Sequence, residues 1–225
     1  MHTFILPSGT EIDLVEMTGV EEDLLTNRRL MKNGEGINRV LLNCTKRLGE
    51  NDEPKMKDIL DLLSGDRLFA LVRLRQISLG DEVDLELTRP NPGCDELTYV
   101  TINLNDLEVT PYGEEREFEF TLPGSGKVVT FGYLDGHKEK RLAAVKQPTL
   151  TAAMMIRIVK IDDQPPSKKL LNEMTMGDRS ALRKEMLRVD GGIDTQVDVP
   201  CDVCGTRIRT RLEGEPVFLF PSVAS

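Results

Sequence analysis

The sequence predicts an α+β fold in which one structural unit is written twice, and three observations carry that prediction. Gly65-Asp66-Arg67 recurs 112 residues on as Gly177-Asp178-Arg179. Each triplet opens a run with helical apolar spacing: Leu68, Ala70, Leu71 and Leu74 after the first, Ala181, Leu182, Met186 and Leu187 after the second. At the same offset Val83, Leu85 and Leu87 fall opposite Thr195, Val197 and Val199, both series alternating at period two as half-buried strands do. Near each start a strand, a Pro/Gly turn and a second strand recur. Phe4-Ile5-Leu6-Pro7-Ser8-Gly9 precedes Ile12 and Leu14, and Phe120-Thr121-Leu122-Pro123-Gly124-Ser125-Gly126 precedes Val128, Val129 and Phe131. The halves are expected at 1–112 and 116–225, forming one cooperative pseudo-twofold unit.

In the first half the hairpin leads to a helix over Val20–Lys32, carrying Leu24, Leu25, Leu30 and Met31 and stopped by Asn33-Gly34. Ile37–Leu48 and Lys55–Leu63 read as short amphipathic helices around the charged loop Gly49–Pro54. The helix over Asp66–Ile77 begins with an acid beside its positive dipole end. Strands follow at Val83–Leu87 and Tyr99–Leu104. In the second half helices are expected at Lys138–Val145, Thr151–Val159, Ser167–Met174 and Asp178–Leu187, with a break at Gln164-Pro165-Pro166. The strands Val197–Val199 and Thr206–Leu212 close the chain's last hairpin.

The 225 residues carry 29 basic and 38 acidic side chains, a net charge of −9, which disfavours a protein that coats phosphates indiscriminately. With 7 Phe, 3 Tyr and no Trp there is no stacking platform for single strands or sugars. No apolar stretch reaches the ~18 residues of a membrane span. Met1–Pro7 lacks the basic n-region and long apolar run of a signal peptide, so a reducing compartment is expected, where cysteines serve as ligands or core residues.

Those cysteines fall at informative places. Pro200-Cys201-Asp202-Val203-Cys204-Gly205 joins two strands, and C-x-x-C-G at a hairpin tip reads as a zinc knuckle, half of a tetrahedral site. The matching turn in the first half is Arg89-Pro90-Asn91-Pro92-Gly93-Cys94, with Arg89 where the offset places a cysteine. The expectation is a degenerate ribbon-like site from Cys94, Cys201 and Cys204, with structural zinc as its cofactor. A fourth ligand could come from Asp95, Asp202, His137 or water. Alternatively Arg89 ties the turns together in place of a metal, the knuckle stays empty, or Cys201 and Cys204 form a disulfide under oxidising conditions. Cys44, among Val40, Leu41 and Leu42, reads as a core residue.

Catalytic patterns are missing. His2 and His137 have no motif around them, and Gly124-Ser125-Gly126-Lys127 lacks the P-loop's first glycine, at Thr121, and its final hydroxyl, at Val128. The acidic runs Glu21-Glu22-Asp23 and Glu114-Glu115 fit a helix start and a solvated loop. No enzyme is expected. Arg207, Arg209 and Arg211 alternate along one strand face and form a candidate surface for an acidic partner.

Several segments together are similar to a known family. Leu6-Pro7-Ser8-Gly9, Gly65-Asp66-Arg67 entering a helix, the paired cysteine turns, and the ending Arg211-Leu212-Glu213-Gly214-Glu215-Pro216-Val217-Phe218-Leu219-Phe220-Pro221 resemble the baseplate proteins of contractile-tailed bacteriophages from end to end. In such relatives the first turn usually reads Cys-Pro-x-x-x-Cys, so Arg89 is a departure that bears on metal binding. The resemblance implies a non-enzymatic hub or wedge component, or a hub-assembly chaperone. It also implies synthesis in the host cytoplasm, residence in the virion's tail baseplate and contacts with hub, tube, tape measure or wedge proteins. Nucleic acid, membrane and small-molecule substrates are not expected partners. The alternative is a zinc-ribbon adaptor that touches nucleic acid, resting on the C-x-x-C turn and the Arg207/Arg209/Arg211 stripe and opposed by the acidic charge balance.

Overall fold

Alternating residues on either side of Leu6–Thr10 form β1 (His2–Ile5) and β2 (Glu11–Leu14), and Gly9 at φ +86 allows the tight turn between them. The computed structural model describes residues 1–87, 94, 97–145, 149–214 and 218–219. After β2 come α1 (Gly19–Thr26), α2 (Arg28–Lys32), α3 (Glu35–Cys44) and β3 (Thr45–Leu48), which pairs with β2. Next are α4 (Met56–Asp61), α5 (Ser64–Leu79), the hairpin of β4 (Glu82–Leu87) and β5 (Thr98–Asn103), and the short β6 (Val109–Thr110). The second half runs β7 (Glu117–Thr121), β8 (Val128–Gly132), α6 (Gly136–Ala143), α7 (Leu150–Met155) and β9 (Ile158–Ile161). It ends with α8 (Lys168–Glu173), α9 (Met176–Val189), β10 (Gly192–Ile193), and the hairpin of β11 (Gln196–Pro200) and β12 (Arg207–Arg211).

The same contacts recur in both halves. The sheets β1-β2-β3 and β7-β8-β9 have one order, and each slips register at the same place, between Asp13 and Leu14 and between Thr130 and Phe131. The Asp66 carboxylate accepts from the Ser8 N–H (2.9 Å), tying α5 to the first hairpin turn. Asp178 does the same for α9, accepting from Gly124 (2.6 Å) and Ser125 (3.1 Å). Arg67 donates Nη1 to the Ile59 carbonyl and Nη2 to Asn38; Arg179 donates Nη1 to the Leu171 carbonyl and Nη2 to the Thr151 hydroxyl. The Gly-Asp-Arg triplet thus clamps a helix start to a turn on one side and to the preceding helix on the other.

Both aspartates are 1% exposed. Burial is the main influence on Asp66 and lifts its carboxyl above the usual range, so the folded state holds that proton more tightly than the unfolded chain. This contribution is full below the unfolded pKa and is lost as pH rises through the folded one. Asp66→Asn should therefore gain steadily on wild type as pH rises above the ordinary aspartate range of about 4 in urea unfolding. A gap that widens as pH rises contradicts the assignment.

Two expected helices are shorter in the same way. Ile37–Leu48 ends as a helix at Cys44, and Thr151–Val159 ends at Met155; the remainders contribute β3 and β9, the third strands of the two sheets. Thr45 pairs with Leu14, and Ile158 with Phe131. β-branched side chains and a waiting sheet edge outweigh short helical spacing there. Val20–Lys32 is broken at Asn27, whose side chain accepts from the Arg29 and Leu30 N–H groups and so starts α2 afresh.

The halves are unequal in what they bury. One cluster holds Leu122, Val129, Phe131, Ile158, Leu171, Leu182 and neighbours of the second half. The larger one joins Ile12, Leu14, Leu41, Leu74 and Leu85 with Ile193, Val197, Cys201, Ile208, Leu212 and Phe218 from the second half. The last hairpin therefore completes the first half's core. Arg75 of α5, 2% exposed, pins this arrangement by donating to the carbonyls of Phe218, Gly80 and Glu82. Arg75→Leu should cost about 3 kcal/mol by chemical denaturation, because three carbonyls lose a charged donor. A loss below about 1 kcal/mol contradicts that role.

A second junction links the halves. Ser64 N–H donates to the Leu134 carbonyl (2.9 Å) and Gly136 N–H to that of Leu62 (3.2 Å). Arg67 Nε pairs with Glu139 (2.9 Å), and His137 with Asp61 (3.0 Å). β6 pairs with β10, and the Tyr112 hydroxyl accepts from the Gly65 N–H (2.9 Å).

Candidate metal centre

The β11–β12 hairpin closes on a turn in which Gly205, at φ +71, donates its N–H to the Cys201 carbonyl (2.8 Å), while Cys201 N–H donates to the Thr206 carbonyl (2.8 Å). This compact turn sets both sulfurs on one side. The Cys201 Sγ accepts the backbone N–H groups of Cys204 and Val203, which draw its thiol down to about 7. Cys204 Sγ accepts from the Thr206 N–H (3.4 Å). Cys94, which falls between β4 and β5, lies at the same point. The Sγ atoms of Cys94, Cys201 and Cys204 lie within 4.8 Å of one another.

Cys201 is buried, Cys94 half-buried and Cys204 exposed, and none of the three is in a disulfide. Thiolates around a tetrahedral zinc, with bonds of about 2.3 Å, stand roughly 3.8 Å apart. The observed spacing needs about 1 Å of closure, within the reach of side-chain rotation. Three sulfurs from two hairpins, one turn carrying amide donors, could hold a metal ion between them.

The other expected ligands are placed as follows. His137 pairs with Asp61 at the junction between the halves and does not join the cluster. The Asp202 carboxylate does not join it either. Arg89 and Asp95 lie outside the described residues. Cys44, 1% exposed in α3, has its thiol pushed up to about 12 by burial, as a core cysteine should.

The arginine stripe is partly spoken for. Arg207 and Arg209 both pair with Asp198 of β11 (2.6 and 3.1 Å), and Arg211 with Glu213 (3.7 Å). Arg207 chiefly holds the Asp198 carboxyl below its usual range. Asp198 is not among the residues that the sequence alone singles out, although its place in the β11 alternation sets it opposite Arg209 of β12. Apart from the cysteines, a cavity of about 420 Å³ opens between Met17, Leu25, Leu79 and Leu219, with Glu22 as its ionisable side chain. Among the described residues neither His137 nor any other histidine is hydrogen-bonded to a Ser or Cys nucleophile, and no helix is long and apolar enough to cross a membrane.

Residues 1–219 match the family described as T4 bacteriophage base plate protein. No curated protein and no solved structure gives a match.

Proposed function

The chain belongs to the T4 bacteriophage base plate protein family, and on that premise we propose that it serves as a non-enzymatic hub or hub-assembly component of the tail baseplate. The match across residues 1–219 carries this reading. Its partners are then other tail proteins: hub, tube, tape measure or wedge. The acidic balance agrees with a role in holding surfaces together. Quantitative mass spectrometry of purified particles tests it. Stoichiometric presence supports a baseplate component, presence only in assembly intermediates supports a chaperone, and absence from both overturns the proposal.

The recurring sheets, register slips and Gly-Asp-Arg clamps support an internal duplication over 1–112 and 116–225. The shared core supports one cooperative unit. Within it Cys94, Cys201 and Cys204 hold a structural zinc that staples the two hairpins. Metal analysis should return about one zinc per chain, and less than about half an equivalent contradicts it. The nucleic-acid adaptor is the weaker reading, since Asp198 neutralises much of the stripe it needs. A low-salt gel shift should show no retained DNA or RNA.

A further inference from the structure

The junction between the halves is one-sided. The start of α6 (Leu134, Gly136, Glu139) sits on the α4–α5 corner of the first half (Leu62, Ser64, Arg67). In a true twofold the start of α1 would sit on the α8–α9 corner in return. Met17, Gly19 and Glu22 hold the places in the first half that Leu134, Gly136 and Glu139 hold in the second, each 117 residues apart. Likewise Met174, Met176 and Arg179 stand 112 residues beyond Leu62, Ser64 and Arg67.

These counterparts are vacant among the described residues. The N–H groups of Gly19 and Met176 and the carbonyls of Met17 and Met174 make no hydrogen bond, where their equivalents make both backbone bonds of the junction. Arg179 repeats both Nη contacts of Arg67, yet no carboxylate sits on its Nε as Glu139 sits on that of Arg67. Gly65 is pressed against Gly191 and Gly192, whereas a side chain at Gly177 would meet nothing closer than the Thr175 hydroxyl at 3.7 Å. Val20 on one vacant surface and Met176 on the other are 61% and 77% exposed, and Leu150, next to Thr151, is 66% exposed.

We propose that a second copy of this chain fills the gap: the start of α1 in one copy docks on the α8–α9 corner of the next, with Glu22 on Arg179. The contact repeats between molecules a junction the chain already makes within itself. Charges agree, since Glu22 and Asp23 approach Arg179 and the half-buried Arg183. The contact is heterologous, each copy offering one of each surface, so copies assemble head to tail into a ring or an open chain. It rests on the matched contacts and is independent of the baseplate role.

Analytical ultracentrifugation of the full chain tests it with two surface variants. Glu22→Lys spoils the first surface and Gly177→Trp fills the second; both positions are exposed, and circular dichroism melting should stay at the wild-type value. Wild type should sediment as an oligomer, and each variant alone as a monomer. An equimolar mixture should form a 1:1 dimer and nothing larger, because each variant keeps the surface its partner lacks. Wild type that stays monomeric up to ~100 μM, variants that still self-associate, or a mixture without the dimer would overturn the proposal.

Discussion

Gly65→Ala should destabilise the chain by about 3 kcal/mol or more, while Gly177→Ala, at the corresponding place, should change stability by no more than about 0.5 kcal/mol. A methyl group on Gly65 would lie 2.3 Å from the Gly191 carbonyl, 2.5 Å from the Tyr112 hydroxyl and 2.7 Å from the Gly192 Cα. Two of these neighbours are backbone, so relief requires β10 to move off α5 and the β6–β10 pair to follow. Tyr112 is tied to Gly65 by its hydroxyl and to the Pro7 carbonyl by its own N–H (2.9 Å), so it cannot swing away alone. Gly177 sits at the start of α9 with open space around it, where alanine's helix propensity is mildly favourable. Equal effects at the two positions, measured by urea unfolding, would mean that the junction does not bear on stability.

Replacing Cys201 and Cys204 together by Ser should cost several kcal/mol in metal-loaded protein and almost nothing once zinc is removed. A zinc held by the three thiolates would couple binding to folding, because the unfolded chain has no preformed set of ligands and the metal's affinity for the folded state would add to stability. A strong chelator should lower the wild-type Tm towards that of the double variant. The double variant itself should not respond. The two hairpins joined by the cysteines both belong to the larger core cluster, so loss of the metal should loosen β4–β5 and β11–β12 together. A wild-type Tm unchanged by chelator would show that packing alone closes the site.

Much of this architecture was readable in the residues. Gly65-Asp66-Arg67 and Gly177-Asp178-Arg179 stand out because in each a buried acid and the base after it serve the same two contacts, to a hairpin turn and to the preceding helix. The strands Val83–Leu87 and Val197–Val199 were legible because one face is buried and the other is not. β3 and β9 were not, since four residues after a helix show neither period clearly. Nor was the asymmetry of the core plain. In hindsight it lies in the difference between Leu71-Val72 and Arg75 of α5, all buried, and Arg183-Lys184 and Leu187 of α9, none of them buried. The turn at Cys201 and Cys204 was legible from C-x-x-C-G and its partner at Cys94 from the repeat, whereas Asp198 shows only when β11 and β12 are read together. Reading the stripe Arg207, Arg209 and Arg211 by itself ignores the strand beside it, and cross-strand neighbours decide which charges remain available.

Affinity capture of the tagged full chain from infected host cells, followed by size separation and mass spectrometry, tests the central claim most directly. The account predicts that the chain migrates with tail baseplate proteins in defined ratio, in complexes that resist nuclease. A chain recovered free of tail proteins, or held in complexes that nuclease dissolves, would contradict it.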